Sequence, residues 1–233
     1  LVDSDNDGIS DFNERVLGSN PSVVDEVPLS IIEVAFTVGS SAGESSYGGA
    51  NLDATIAYHV AVANTAFSDS GLAIELKNIG VYSVGDDSDL DASAALAAMK
   101  ARDGIFAGLD ATLLRQPDLF IHYSTVEVID IGGKATLGGR RNDGIIDYKN
   151  KYEHGNNRGV VAIDNSSLTL THEIGHLMGL AHSKRQAEGA AGGAFPWSLG
   201  YGVDDDFVTV MAYPLSFNAT RVGVFSSPNL SCG

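Results

Sequence analysis

The segment spanning residues 171–182, T-H-E-I-G-H-L-M-G-L-A-H, constrains this chain more than any other stretch. His172 and His176 are four positions apart, so in a helix both imidazoles project from one face, one turn apart. Gly179 can adopt a positive φ angle and end the helix, after which the chain can return with His182. The spacing therefore predicts a short helix and a reversal that bring three imidazoles together.

Three neutral imidazoles with an open fourth position are the ligand set of a catalytic zinc ion, whereas a structural zinc has four protein ligands. Glu173 directly follows the first histidine, where the pattern H-E-x-x-H places the general base of a zinc hydrolase. The alternative is an amphipathic helix that carries two surface histidines. That alternative leaves Glu173, Gly179 and His182 without a role.

The first residues of the chain contain a second ligand pattern, D-S-D-N-D-G-I-S-D-F-N-E over residues 3–14. Acidic residues occupy positions 1, 3, 5, 9 and 12 of a calcium loop, and Gly8 occupies position 6, where the loop turns sharply. The predicted calcium ligands are the side chains of Asp3, Asp5, Asp7, Asp11 and Glu14 and the backbone carbonyl of Ile9. Ser10 departs from the EF-hand pattern, and an acidic, solvated arm is the alternative.

Apolar patterning over the rest of the chain predicts alternating strands and helices. Strands are expected over residues 31–38, 72–84, 118–128, 134–137 and 160–163, the fourth of them as a short edge strand. Helices are expected over residues 51–67, 92–99 and 105–114, and a Gly/Ser loop over 40–49. The alternation indicates an α/β (α+β) domain with a mostly parallel sheet, against which the histidine helix packs.

Composition limits the classes of partner and the environment. A net charge of −16 and a pI near 4.5 argue against nucleic acid as a partner, because the sequence contains no basic cluster. An acidic surface is typical of secreted calcium-binding proteins and of proteins from salty environments, and it also serves solubility alone.

No apolar run is long enough to span a membrane. The start at Leu1 without a signal peptide predicts a mature or trimmed product. The single cysteine, Cys232, is either half of a pair with a partner elsewhere or an inert thiol.

The complete H-E-x-x-H-x-x-G-x-x-H pattern, Met211 in T-V-M-A-Y-P, and F-S-S-P-N at 225–229 together resemble the metzincin zinc endopeptidases. The resemblance covers roughly residues 31–230 and is greatest to reprolysin-like (adamalysin-type) bacterial members. The segment before it resembles a thrombospondin type 3 calcium-binding repeat. The expected domains are therefore a calcium-binding repeat and linker over residues 1–27 and a catalytic domain over residues 28–233.

The resemblance implies a twisted, mostly parallel five-stranded sheet with an antiparallel edge strand. It also implies an upper subdomain (28–179), a small lower subdomain (180–233), and a cleft in which an extended peptide pairs with the edge strand. In this scheme zinc binds His172, His176 and His182, and Met211 lies beneath the ion. Tyr213, in a Met-x-Tyr arrangement found in serralysins and astacins, either donates a hydrogen bond to the oxyanion or lines the pocket wall.

The expected function is that of a secreted, monomeric zinc endopeptidase that also binds calcium and acts on extended peptides or proteins. Its general base would be Glu173. One alternative is a non-catalytic extracellular binding module that uses the same fold. Another is a narrow processing protease that acts on one protein.

Overall fold

A computed structural model describes Val2, Ser4, Asp5, Asp11 and Arg15 and residues 20–22, 29–109, 116–138, 157–186 and 192–227. Five strands form one sheet: β1 (Ser30–Gly39), β2 (Ile74–Gly85), β3 (Leu119–Ser124), β4 (Gly133–Ala135) and β5 (Arg158–Ala162). Their order is β2-β1-β3-β5-β4, and every pairing is parallel except the antiparallel pair of β4 with β5. The predicted sheet, with its short antiparallel edge strand, is confirmed.

Six described helices accompany the strands, and four of them lie between strands of the sheet in chain order. They are α1 (Ser40–Glu44), α2 (Leu52–Asp69), α3 (Ala92–Ala101), α4 (Val126–Ile129), α5 (Thr169–Leu177) and α6 (Pro214–Phe217). Single 3-10 turns occur at Gly49–Asn51 and Gly104–Phe106. A two-stranded parallel pair, β6 (Phe207–Val208) and β7 (Thr220–Arg221), lies after α5. Within the described ranges, no helix is both long and apolar enough to cross a membrane.

Both faces of the sheet are buried, as alternate residues of β1 show. Phe36 belongs to a large core that includes residues of α2 and α5, whereas its neighbour Ala35 belongs to a core that includes residues of α3. From α5, Ile174 and Leu177 enter the larger core and are fully buried. Each of these side chains contributes about 1.5–3 kcal/mol by its burial. The histidine helix is therefore anchored by its apolar face.

Two segments differ from the sequence prediction. Residues 118–128 were expected to be one strand, but β3 ends at Ser124 and α4 begins at Val126. The β-branched Val126 and Val128 favour a strand, yet the Val126 amide donates to Asp164 Oδ1 at 2.8 Å, and this tertiary contact starts the helix. Residues 40–49 were expected to be a loop but begin with α1, whose Ser41 amide donates to Asp87. The predicted helix over 105–114 begins with a 3-10 turn, and residues 110–115 lie outside the described residues.

Asp87 is the buried acid that holds this end of the sheet. Its carboxylate accepts hydrogen bonds from the Ser41 amide at 3.0 Å, the Ser41 hydroxyl at 2.7 Å and the Ser124 hydroxyl at 2.7 Å. Burial raises the pKa of Asp87, but the nearby His122 ring and these hydrogen bonds outweigh burial and hold the pKa well below its ordinary value. The carboxylate therefore stabilises the fold at neutral pH.

Replacing Asp87 by Asn should lower the free energy of unfolding at pH 7 by about 2 kcal/mol, because hydrogen bonds to a buried charge are lost. A carboxyl with a depressed folded-state pKa contributes its stability above the unfolded pKa and loses it as pH falls. The difference between Asp87→Asn and the wild type should therefore shrink in acid. Urea unfolding measures the free energy of unfolding of each protein. The control is Asp89→Asn, which changes an exposed aspartate. Equal stability of both variants at pH 7 would contradict this assignment.

Candidate metal centre

Helix α5 ends where the sequence predicted the reversal. Gly179 has a φ of 91°, and a Cβ at this position would lie 2.6 Å from the Cβ of Ala194. Only glycine meets both conditions without strain. After the turn, the Ala181 amide donates to Ser198 O and its carbonyl accepts from Gly200 N, both at 2.9 Å. These bonds fix the backbone directly before His182.

The three predicted histidines converge. Nε2 of His182 lies 3.0 Å from Nε2 of His172 and 3.0 Å from Nε2 of His176. Nδ1 of His172 lies 2.8 Å from Val210 O, and Nδ1 of His176 lies 2.8 Å from Leu180 O. Because a carbonyl can only accept, both Nδ1 atoms carry the proton in the neutral rings. Their Nε2 lone pairs therefore face the same point.

This donor set fits a metal ion. Burial lowers the pKa of His172 to about 3, with a further contribution from His176, and lowers the pKa of His182 to about 4. Burial also lowers the pKa of His176. The rings are thus neutral at pH 7, the form that binds a metal. Carbonyl partners on the opposite ring nitrogen are the usual means of orienting such ligands. The three residues could hold one ion.

Glu173 lies beside this cluster as an almost fully buried carboxyl. Its side chain is 4% exposed, and its Oε2 has no hydrogen-bond partner among the residues that the structure describes. Burial raises the pKa of Glu173 to about 8. A carboxyl whose pKa lies near neutrality is suited to accept and return a proton. A cation at the imidazoles would favour its ionised form.

Met211 and Tyr213 border the same site. Met211 is buried beneath α5, so closely that a Cβ on Gly175 would collide with its Sδ. The ring of Tyr213 lies 4.6 Å from that of His182 and 5.8 Å from that of His172, measured between centroids. Tyr213 is 43% exposed, and its pKa is raised by partial burial and by Glu173. The phenol therefore borders both the histidines and solvent.

The predicted calcium loop lies mostly outside the described residues. This applies to Asp3, Asp7, Ile9 and Glu14, and also to Cys232. Asp11 is described, and its carboxylate accepts from the Ser4 amide at 2.8 Å and the Ser4 hydroxyl at 2.9 Å. The serine bonds lower the pKa of Asp11. Calcium binding by this segment stays a prediction.

The structure adds two residues that sequence reasoning did not single out, Gly133 and Arg221. Both line a cavity of about 240 Å³ together with His172, Glu173 and Tyr213. Gly133 begins β4, and Arg221 ends β7. No motif marks either position, because only the tertiary fold brings them to the histidine helix.

Gly133→Ala should lower peptide hydrolysis about 100-fold while the three histidines keep their metal. A Cβ on Gly133 would lie 2.7 Å from Glu173 Oε1 and 2.8 Å from its Cγ, so the carboxyl must move. A displacement of about 1 Å at a reacting group costs on the order of 100-fold. Turnover and metal content of the same sample measure the effect. Gly43→Ala, where the added methyl meets no atom within 4 Å, is the control. Unchanged turnover in Gly133→Ala would contradict this prediction, because it would show that the added methyl group does not displace the Glu173 carboxyl.

Comparison with known families identifies the class as metallopeptidase. The family model Reprolysin_5, described as Metallo-peptidase family M12, matches residues 32–223. The match spans most of the chain, and the protein belongs to this family. Membership implies a zinc ion, for which the three histidines offer a site. The predicted metalloprotease class is confirmed.

The individual proteins that match this chain are 17–29% identical to it in sequence. A peptidyl-Asp metalloendopeptidase from Pseudomonas aeruginosa is 29% identical over 203 residues, which cover 78% of this chain and 32% of that protein. The chain thus spans about a third of this curated relative. A solved structure described as a chaperone-substrate complex shares the fold, with a TM-score of 0.62 and 17% identity over 86% of this chain and 29% of that one. Metalloproteinase-II from Bacteroides fragilis gives a TM-score of 0.42 and 17% identity over 73% of this chain and 51% of that one.

Proposed function

We propose that this protein is a zinc-dependent endopeptidase in which His172, His176 and His182 bind the ion and Glu173 is the general base. One observation carries the proposal: the carbonyls of Val210 and Leu180 orient two rings so that three Nε2 atoms meet beside a buried carboxyl. In a structural zinc site a fourth protein donor would complete the set. The group found among the described residues contains three histidines and no other ligand.

When bound, zinc supplies Lewis acidity that polarises the scissile carbonyl and makes water nucleophilic near neutral pH. Glu173 accepts the proton of the attacking water and later delivers it to the leaving amine. Tyr213, whose ring borders His182, donates a hydrogen bond to the oxyanion in this scheme. Met211 packs against α5 at Gly175 and so supports the helix that carries His172 and His176.

An extended peptide is the substrate that the sheet edge suits. Among the described strands, β4 pairs with β5 alone, and its other edge is where an extended peptide would add as a strand. Gly133 lies at the start of this edge and borders Glu173, which would place the main chain of a bound peptide next to the general base.

The wider setting is also a proposal. The name of the Pseudomonas aeruginosa relative supports action at aspartyl residues. An acidic composition supports an extracellular protein, and the spacing of acids over residues 3–14 supports calcium binding. We also propose that the protein is a monomer, because the three histidines and Glu173 form the site within one copy. From the sequence patterns we also propose two domains, a calcium-binding repeat with its linker over residues 1–27 and a catalytic domain over residues 28–233.

The deciding experiment measures zinc content and cleavage of casein and a peptide library on one sample of the chain. We expect about one zinc per chain, cleavage that a strong chelator abolishes, and recovery on adding zinc. Mass spectrometry of the library products would give the cleavage sites. A preparation that holds one zinc per chain and cleaves neither casein nor any peptide would refute the endopeptidase proposal.

A further inference from the structure

Arg221 is the cation of the cavity that contains the proposed general base. The cavity is bordered by β4, α5, Tyr213 and β7, and its described lining includes no lysine and no second arginine. A side chain of a bound peptide would enter this space next to Glu173. Arg221 is the positively charged side chain of the described lining, and the carboxyl of Glu173 lies in the same space.

The backbone around Arg221 is fixed relative to the histidines. Val208 pairs with Arg221, and the Val222 amide donates to Val208 O at 2.8 Å. Val210, whose carbonyl accepts from His172, donates its own amide to Val224 O at 2.9 Å. The strand that carries Arg221 is therefore tied to the segment that orients His172, which is the rigid support that a recognition residue needs.

The guanidinium of Arg221 does not use all of its N–H donors in hydrogen bonds to described residues. Nη2 donates to Ala212 O at 3.2 Å, and the buried Nε has no hydrogen-bond partner among the described residues. In the part of the chain that the structure describes, no carboxylate forms a salt bridge with Arg221. A partly buried charge without a counter-ion is costly, and a planar guanidinium is suited to bind a carboxylate with two parallel hydrogen bonds. The guanidinium is therefore able to bind an anion.

The net charge of the chain makes a local cation necessary for acidic ligands. At −16 the protein as a whole repels an acidic peptide, so the overall field cannot produce a preference for one. A cation inside the cavity, such as the Arg221 guanidinium, can make the local potential favourable for an acidic side chain.

We propose that Arg221 determines substrate specificity by binding the carboxylate of an Asp or Glu side chain at the residue that follows the cleaved bond. The inference rests on the proposed endopeptidase function. The position follows from proton transfer: Glu173 delivers its proton to the leaving amine, and the residue that carries this amine is therefore the one beside Glu173 and Arg221. The other role open to Arg221 is structural, through its bond to Ala212, and the tests below separate the two.

The first test compares cleavage of peptides that differ only in Asp, Asn or Leu after the cut bond. For the zinc-loaded wild type, kcat/KM should favour Asp over Asn by roughly 10- to 100-fold, the value of a hydrogen-bonded charge. In Arg221→Gln this ratio should fall to about 1, whereas Arg221→Glu should favour Lys at the same position. Arg185→Gln, which alters an exposed arginine paired with Asp204, should keep the wild-type ratio. A structural role would instead lower cleavage of all peptides equally.

The second test measures binding without turnover. In a Glu173→Gln background, fluorescence anisotropy should show the Asp peptide bound roughly 10-fold more tightly than the Asn peptide, and adding Arg221→Gln should remove this difference. If Arg221→Gln does not fold, Arg221→Lys replaces it, and under our proposal it keeps a reduced preference for Asp.

Failure of this inference is distinct from failure of the proposed function. A zinc-loaded protein that cleaves no peptide refutes the endopeptidase function. A protein that cleaves the Asp and Asn peptides equally well is an endopeptidase in which Arg221 does not read the substrate. A wild-type preference for Asp that survives in the Arg221 variants would likewise overturn the assignment.

Discussion

Replacing Glu173 by Gln is expected to reduce peptide hydrolysis by about 10²–10⁴-fold, the usual contribution of a positioned general base, while zinc content stays near that of the wild type. The amide has nearly the same size as the carboxyl and fits beside Gly133, but it cannot accept the proton of the attacking water. The loss should appear in kcat, because the peptide still binds along β4. Steady-state kinetics and metal analysis of one sample measure both quantities.

Glu127→Gln is the matched control for this variant. Glu127 lies in α4 with an exposed side chain and borders no part of the cavity. Its replacement should leave kcat unchanged. If Glu173→Gln hydrolysed peptides at a rate near that of the wild type, another group would have to be the base, and Tyr213, which lines the same cavity, is a titratable candidate.

The elements that carry periodic apolar residues could be predicted from the sequence. The strand expected over residues 31–38 is β1, and the helix expected over 51–67 is α2, each within two residues at either end. Prediction was wrong where a tertiary hydrogen bond decided the local structure. Val126 and Val128 have strand propensity, but the Val126 amide donates a hydrogen bond to the carboxylate of Asp164 at the start of α4, and no local pattern shows that contact.

The site shows the same division between local and long-range information. His172, His176 and the turn at Gly179 are encoded within eight residues, because helical periodicity alone aligns the two rings. The partners that orient these rings are the carbonyls of Val210 and Leu180. A backbone carbonyl carries no residue identity, so sequence reasoning could not find them.

Arg221 shows why the surroundings of a motif are harder to predict than the motif itself. It enters the cavity through the parallel pairing of β6 and β7, two strands of two residues each. Such short strands have no periodicity to detect. Only the folded arrangement shows that this arginine, among 14 lysines and arginines in the chain, faces the proposed general base.

Replacing His172 by Ala is expected to remove zinc and activity together. Loss of an outer-shell partner alone lowers metal affinity about 10–100-fold, and loss of a ligand should cost more. Because a bound metal stabilises the folded state by mass action, added zinc should raise the Tm of the wild type and leave the Tm of His172→Ala almost unchanged. Zinc content after dialysis and thermal unfolding with and without zinc are the measurements.

His59→Ala separates loss of a ligand from loss of a buried histidine. His59 is as buried as His172, and its Nδ1 lies 3.0 Å from the Tyr123 hydroxyl, but its ring contacts none of the three converging histidines. This variant should be less stable than the wild type, because it leaves a cavity and an unpaired phenol. The His59→Ala variant should still bind one zinc ion, and added zinc should still raise its Tm. Full zinc occupancy in His172→Ala would mean that the ion lies elsewhere, and the hydrolytic mechanism would then lose its metal.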